Sequence, residues 1–419
     1  METLNTTFSI KIPTTRKWLA FALCMGSYIF CGTASTLMSV YLPVAIPELL
    51  HETRAGEQIS DAQLGEIGAY ISATFLYGWM LGGLIFGIVS DRIGRVKTLS
   101  LVTLLYGIGT LLVFFVPDYF SLILLRFITG MGVGGVLLVS TVYISEIWDE
   151  RTRPVMLGIL AVSFPIGIVA TGSLNILFSQ WRQAFQLGAI PLVLGVLLLF
   201  FAPESEQWKR SKFFETKTPQ KLLEGENRIN LIRGSLIFGA VLIGLWGIFS
   251  WLPTWVQTLL DPEQNGQQER GLTMILLGMG GITGGVFSGF LIKTFGSRRT
   301  LMGTFSGCIV MCLVLFLTNK QFTPIVYFEM ALLSLCFGIS QGSLSSYIPE
   351  LFPVAIRATA TGFCFNIGRF FTATAVFFIG SLVTLLGGFG NALLVFSFPF
   401  IIALMVTWSS KRDSVENIS

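Results

Sequence analysis

The sequence predicts an all-α membrane protein, with twelve transmembrane helices arranged as two six-helix pseudo-symmetric bundles. Three observations lead there. Of 419 residues, 53% are hydrophobic and only 12% are charged, and the mean hydropathy is +0.74. A soluble domain carries about twice that charged fraction. The apolar residues gather into runs close to the ~20 residues that cross a bilayer as a helix. Finally, a glycine ladder occurs twice: Gly78, Gly82, Gly83, Gly87 and Gly94 map onto Gly280, Gly284, Gly285, Gly289 and Gly296 at a constant offset. Small residues at helical spacing in an apolar segment let neighbouring helices approach closely in lipid.

The first six runs fall at roughly 18–43, 63–89, 98–116, 120–147, 154–178 and 184–203. The second carries the first ladder, which ends in a short basic loop. A polar stretch, 204–232, follows as a linker with room for one amphipathic helix and too short to bury a core. The remaining runs fall at about 234–260, 271–294, 300–318, 323–349, 358–386 and 388–409, the eighth carrying the second ladder. Helices are the spans these runs allow, because lipid offers backbone polar groups no partners and the alternating pattern of a barrel is absent. The expected units are therefore 1–203, a cytoplasmic linker at 204–232, and 233–419. A second match supports duplication in parallel orientation. Tyr143, Glu146, Arg153 and Gly158 align with Tyr347, Glu350, Arg357 and Gly362. Duplicated membrane halves are the usual architecture of secondary transporters.

Lys and Arg set the orientation. With both termini inside, the cytoplasmic segments hold 21 of the 27 basic residues. The outer loops hold Arg54, Arg182, Arg270 and Lys320, while Arg126 and Arg369 remain inside spans. The net charge of +4 then reflects topology, and no nucleic-acid partner is expected. All six cysteines lie within spans and read as small apolar residues without disulfide or metal spacing. The one histidine, His51, reads as a solvated loop residue. The N-terminal run is span-length and lacks the features of a cleavable signal. No phosphate-cradling loop or metal-ligand spacing is present, so no cofactor and no enzymatic activity are expected.

The chain resembles the major facilitator superfamily at four places. GIVSDRIGRVK (87–97) is similar to its loop signature after helix two, and RFITGMGVGG (126–135) to its fourth-helix motif. PESEQW (203–208) resembles the run after helix six of sugar porters and organic-ion transporters. PELFPVAIRATATGFCFNIGR (349–369) resembles helices ten to eleven of the metabolite:proton symporters and organic-ion transporters. The resemblance implies the major facilitator fold and a cytoplasmic gate built from Gly87, Asp91, Arg92, Gly94, Arg95, Glu146, Arg153, Glu350 and Arg357. Asp91 is expected to accept hydrogen bonds from amides opening helix eleven, near Arg357 to Ala360. In the second copy Lys293 replaces the acid, so the same bond is not expected there.

Arg369 is the leading substrate-binding candidate. It lies about 12 residues into helix eleven, on the order of 17 Å deep at 1.5 Å per residue, near the midplane. An arginine there is costly unless it faces a hydrated cavity or a partner. Its planar fork suits carboxylate, sulfonate or phosphate. The alternative is a structural arginine that caps carbonyls or pairs with a buried acid. The resemblance agrees with an anion, since a helix-eleven arginine goes with anion carriers among organic-ion transporters. Asn366, one turn earlier, shares that face, and Tyr28, Tyr77, Trp246, Ser250, Ser340 and Gln341 fall near midplane depth as possible walls. Arg126 is a coupling or structural residue in the family motif. Glu329 lies at similar depth from the outside, so a proton-carrying Glu329 and an Arg126–Glu329 contact are both conceivable. Glu66 reads as a solvated helix start, and Trp251 and Trp255 as interfacial anchors.

Helix one has no acid and helix seven lacks the glutamine-rich sugar motif, which argues against a sugar. The expectation is proton-coupled uptake of a small organic anion, a carboxylate-type metabolite, by a monomer. It would sit in the plasma membrane, the inner membrane of a bacterium, in contact with lipid on all sides. A proton-coupled sugar or neutral-metabolite carrier, a multidrug efflux antiporter, and a ligand-binding scaffold are the alternatives.

Overall fold

A computed structural model describes residues 13–51, 60–211, 223–261, 263–353 and 356–410. Arg54, the His51 side chain and the middle of the 204–232 linker lie outside the described residues. Among the described residues, twelve helices are long and apolar enough to cross a membrane. They are α1 (Thr14–Leu50), α2 (Asp61–Ile93), α3 (Arg95–Phe115), α4 (Tyr119–Ile147), α5 (Arg153–Leu177) and α6 (Trp181–Phe201) in the first bundle. The second holds α7 (Gly225–Leu259), α8 (Gln267–Phe295), α9 (Ser297–Thr318), α10 (Ile325–Glu350), α11 (Thr359–Leu386) and α12 (Phe389–Ser409). A short helix, Glu206–Ser211, lies in the linker.

The helices run past their apolar cores at several ends. Helix α1 extends through Pro43 and Pro47 to a length well beyond the predicted run. Helix α7 breaks at Ser250–Trp251, just before Pro253, whose ring cannot continue an unbroken helix. Helix α12 breaks after Val395, ahead of Pro399. Ser60 caps α2 in a reciprocal box with Gln63, and Asp118 caps α4 by accepting from the Ser121 amide.

The first ladder packs α2 onto α4 at backbone distance. A Cβ on Gly82 would sit 2.0 Å from the Met131 carbonyl oxygen, and one on Gly134 equally close to that of Trp79. Gly78 and Gly130 face carbonyls in the same way. The second ladder does the corresponding job between α8 and α10, with Gly284 against Leu335 and Gly338 against Gly280. Gly32 and Gly167 join α1 to α5. Each bundle is thus held by contacts that admit no side chain.

The two bundles meet along α2–α11 and α5–α8. These seams are tight at one end only. Gly172 lies against Gly271, and Pro165 against Gly278 and Gly281, but Gly285 and Gly289 further along α8 face nothing within 4 Å. On the other seam Gly65 meets Gly380, Tyr77 bonds Thr374, and Gly83 is still near Asn366. One step on, Gly362 faces nothing within 4 Å. The bundles therefore diverge toward the end that carries Asp91 and Glu146, called the basic end below. The far end is tied by two polar groups of α8. Buried Arg270 donates to the Val40 carbonyl of α1 at 3.1 Å, and Gln267 donates to the Asn175 carbonyl of α5 at 2.7 Å.

Gly82→Ala should therefore separate α2 from α4 at a cost of about 1–3 kcal/mol, read as a lower unfolding temperature and a broadened size-exclusion peak. Gly289→Ala, with open space, should leave both unchanged or slightly improved; equal behaviour of the two variants would refute the packing role.

Candidate functional site

At the basic end, Arg95 is the hub. Its guanidinium makes an ion pair of 2.8 Å with Glu146 and one of 2.5 Å with Asp91, and its Nη1 also donates to Ser90. Arg95 stands at the first residue of α3, so its own backbone amide is free of helix partners. Glu204 fills that role, accepting from the amides of Arg95 at 2.9 Å and Val96 at 3.2 Å. Gly94 makes the approach possible. Its φ of 112° is open to glycine, and a Cβ there would lie 2.4 Å from the Glu204 carboxylate. Trp208 closes the latch by donating its indole N–H to the Asp91 carbonyl, and Tyr143 donates to the Pro203 carbonyl. Glu204 and Trp208 belong to the PESEQW run, which sequence reasoning noted without naming them as site residues.

Among the described residues the expected bond from Asp91 to the start of helix eleven is not formed. The carboxylate turns back to Arg95 and is largely exposed, because α2 and α11 have already diverged at that level. Arg92 is exposed, and Gly87 faces Leu138 of α4. Arg153 does not join Glu146; it donates to the Trp148 carbonyl. Arg357 makes the equivalent bond to the Phe352 carbonyl in the second half. The duplication is thus visible at the level of single hydrogen bonds. Where the first half pairs Arg95 with Glu146, the second places the Ser297 hydroxyl 3.5 Å from Glu350.

Midway along the bundles, Arg369 lies half-buried between the two halves. Its guanidinium carbon stands 5.8 Å from the Trp79 ring of α2 and 6.0 Å from Phe238 of α7, both cation–π distances. The Tyr28 phenol and Thr141 are close by. Among the described residues no carboxylate and no hydrogen bond neutralises it. The surrounding walls are aromatic: Trp79 meets Trp246 edge-on at 5.3 Å and Phe164 at 5.8 Å, and Phe238 stacks on Phe365 at 4.2 Å. Trp79, Phe164, Phe238 and Phe365 were not singled out from sequence, where an aromatic residue on an apolar helix carries no sign of the face it takes.

The other candidates scatter. Asn366 donates to its own helix at Gly362 and sits on the α2–α11 seam beside Gly83. Tyr77 is tied to Thr374 on that seam at 2.8 Å and lies edge-on to Phe370 at 6.2 Å. Ser250 is buried and lines a separate small cavity with Trp246 and Arg126. Gln341 keeps a buried Nε2 without a partner, and Ser340 bonds its own helix. Arg126 and Glu329 do not meet. Arg126 donates to the Ala34 carbonyl at 2.7 Å and the Ser35 carbonyl at 3.1 Å and lies over the Phe75 ring. Glu329 instead accepts from Asn319 at 2.6 Å within its own bundle. Glu66 is an exposed acceptor for Tyr70. Trp251 and Trp255 are fully buried, stacked on Phe389 and set edge-on to Phe316, and anchor nothing at an interface. The cysteines are free, five of them buried.

This arrangement can be set beside known proteins. The family model of the Major Facilitator Superfamily matches residues 24–373. The chain belongs to that superfamily. Among its relatives, the cis,cis-muconate transport protein of Acinetobacter baylyi is 28% identical, over 80% of this chain and 82% of that one. The 4-hydroxybenzoate transporter PcaK of the same organism is 27% identical, covering 73% and 74%. The sialic acid transporter NanX of Escherichia coli is 26% identical, covering 85% and 84%. In fold, the chain is similar to the inward-open xylose transporter XylE of E. coli, with a TM-score of 0.76 at 17% identity over 96% and 98% of the two chains. Superfamily membership makes the chain a multi-pass membrane transporter and not an enzyme.

Glu204→Ala removes an ionised acceptor from two amides at the start of α3 and should lower stability by about 1–3 kcal/mol. A thermal-unfolding comparison checks this, and an unchanged midpoint would show that the latch contributes nothing.

Proposed function

We propose that the chain is a secondary active transporter that takes up a small organic anion of the carboxylate type with protons, by alternating access. One observation carries the reading. Arg369 holds a positive charge at mid-depth between the bundles, with aromatic faces around it and no acid to neutralise it. A carboxylate supplies the missing charge and fits the guanidinium fork. The aromatic walls would bury the remainder of a small metabolite. The names of the relatives point the same way, since muconate, 4-hydroxybenzoate and sialic acid are all organic acids.

In this reading the basic end is cytoplasmic, as the Lys and Arg distribution requires, and the protein lies in the inner membrane of a bacterium and works as a monomer. The conformer described then opens to the cytoplasm, and Arg270 and Gln267 close the outside. Asp91 would reach the start of α11 in the opposite conformer, when the basic ends come together. Coupling to protons belongs to the proposal, with Glu329 as the buried membrane acid to test and Arg126 as the buried basic residue of α4.

Uptake of radiolabelled 4-hydroxybenzoate and cis,cis-muconate into proteoliposomes, with an inward proton gradient, tests the assignment. Arg369→Ala should reduce uptake by about 100-fold, the loss of one buried charge-assisted pair, and Arg369→Lys should restore only part of it. Undiminished uptake in both variants, at normal protein levels, would end the anion-clamp reading.

A further inference from the structure

A second cationic site lies toward the far end, about one aromatic step from the first. Arg126 is 3% exposed. Two of its nitrogens satisfy the Ala34 and Ser35 carbonyls, but Nε has no partner. Among the described residues no carboxylate contributes to its surroundings. The same residue lines a small internal cavity with Ser35, Ser39, Ser72 and Ser250, closed by Phe75 and Trp246. The Ser39, Ser72 and Ser250 hydroxyls make no hydrogen bond among the described residues, whereas Ser35 is bonded to the Cys31 carbonyl. The space is about that of one water.

An unneutralised guanidinium and several free hydroxyl donors, in one buried space, are the chemistry of an anion site. A cation would meet Arg126 directly. A water can accept from Nε, but it leaves the buried charge uncompensated. An organic acid has no room.

From this we propose that the cavity binds one halide-sized inorganic anion, held by Arg126 and the hydroxyls of Ser39, Ser72 and Ser250. The walls come from α1, α2 and α4 of one bundle and from α7 of the other. The ion therefore binds only while the bundles are joined at the far end, and it stabilises that closed arrangement. This site is separate from Arg369: Phe75 and Trp79, 5.9 Å apart, stand between the two guanidinium groups.

The test is a titration of the purified full chain with sodium bromide, against gluconate at constant ionic strength, read as unfolding temperature. A saturable rise of about 3 °C is expected, with a bromide anomalous peak beside Arg126 in crystals. Arg126→Gln should abolish the rise; because it also releases two α1 carbonyls, Ser72→Ala and Ser250→Ala serve as the milder variants. Each should weaken the half-saturating bromide concentration about tenfold. No difference between bromide and gluconate, or an equal rise in the wild type and a Ser72→Ala/Ser250→Ala double variant, would overturn the site. Arg369→Ala should keep the bromide response, and its loss there would place the ion in the organic-anion site and refute this proposal. Conversely, an intact bromide response beside undiminished carboxylate uptake in Arg369→Ala would remove the Arg369 clamp alone.

Discussion

Backbone-to-backbone contact between helices is the constraint on which the rest of this structure depends. Lipid gives helices no hydrophobic reason to associate, so close packing must supply the attraction. Here it is supplied by glycines set against carbonyls on α2–α4, α8–α10 and α1–α5. Those contacts stay within a bundle. Between bundles the same device operates only at the far end, at Gly172–Gly271 and Gly65–Gly380, and it stops before the basic end. A rigid interior with a seam tight at one end is the geometry a rocking pair requires. It follows from where the glycines stand along each helix.

Against that scaffold, the buried charges sort by what compensates them. Arg95 has two carboxylates, and Arg270 has carbonyl and amide acceptors from Val40, Asn265 and Gln257. Arg126 is two-thirds satisfied by carbonyls of α1. Arg369 has aromatic faces alone. An arginine in a membrane span is tolerated in proportion to what surrounds it, so the series runs from a structural tie to an open demand for an anion. The candidate sites occupy the end of that series where the demand is unmet.

The fold was almost wholly legible in the sequence, because its signals are long. Twelve apolar runs, a repeated ladder and a one-sided basic pattern each extend over many residues. The depth of Arg369 was legible for the same kind of reason, since depth follows from counting residues along a helix. What escaped was whatever depends on the facing of one helix toward another. The aromatic walls could not be separated from lipid-facing aromatics, and depth alone could not show that Tyr77 bonds Thr374 on the α2–α11 seam. The Arg126–Glu329 contact failed because equal depth does not make two residues neighbours. The Asp91 bond failed for a different reason: a motif describes a bond in some conformer, and in this one the helices are apart. Glu204 was present in a quoted motif, yet only the geometry shows its carboxylate on the amides of α3.

The two halves keep some bonds and have exchanged others. Arg153 and Arg357 make the same turn-closing bond in both, and Gly94 and Gly296 share the same left-handed break between helices. These are the parts a helix-to-helix corner needs in any half. The ionic hub is not shared. Arg95 with Glu146, Asp91 and Glu204 clamps the basic end of the first bundle, while in the second the Ser297 hydroxyl stands 3.5 Å from Glu350 and Arg298 donates to the Thr407 and Trp408 carbonyls of α12. The first clamp joins α2, α3 and α4 at one guanidinium, whereas Ser297 has no charge to offer at that position. The second bundle also contains the breaks in α7 and α12 and contributes Arg369. Arg369 therefore stands on a helix of the second half and faces Trp79 of the first across the seam.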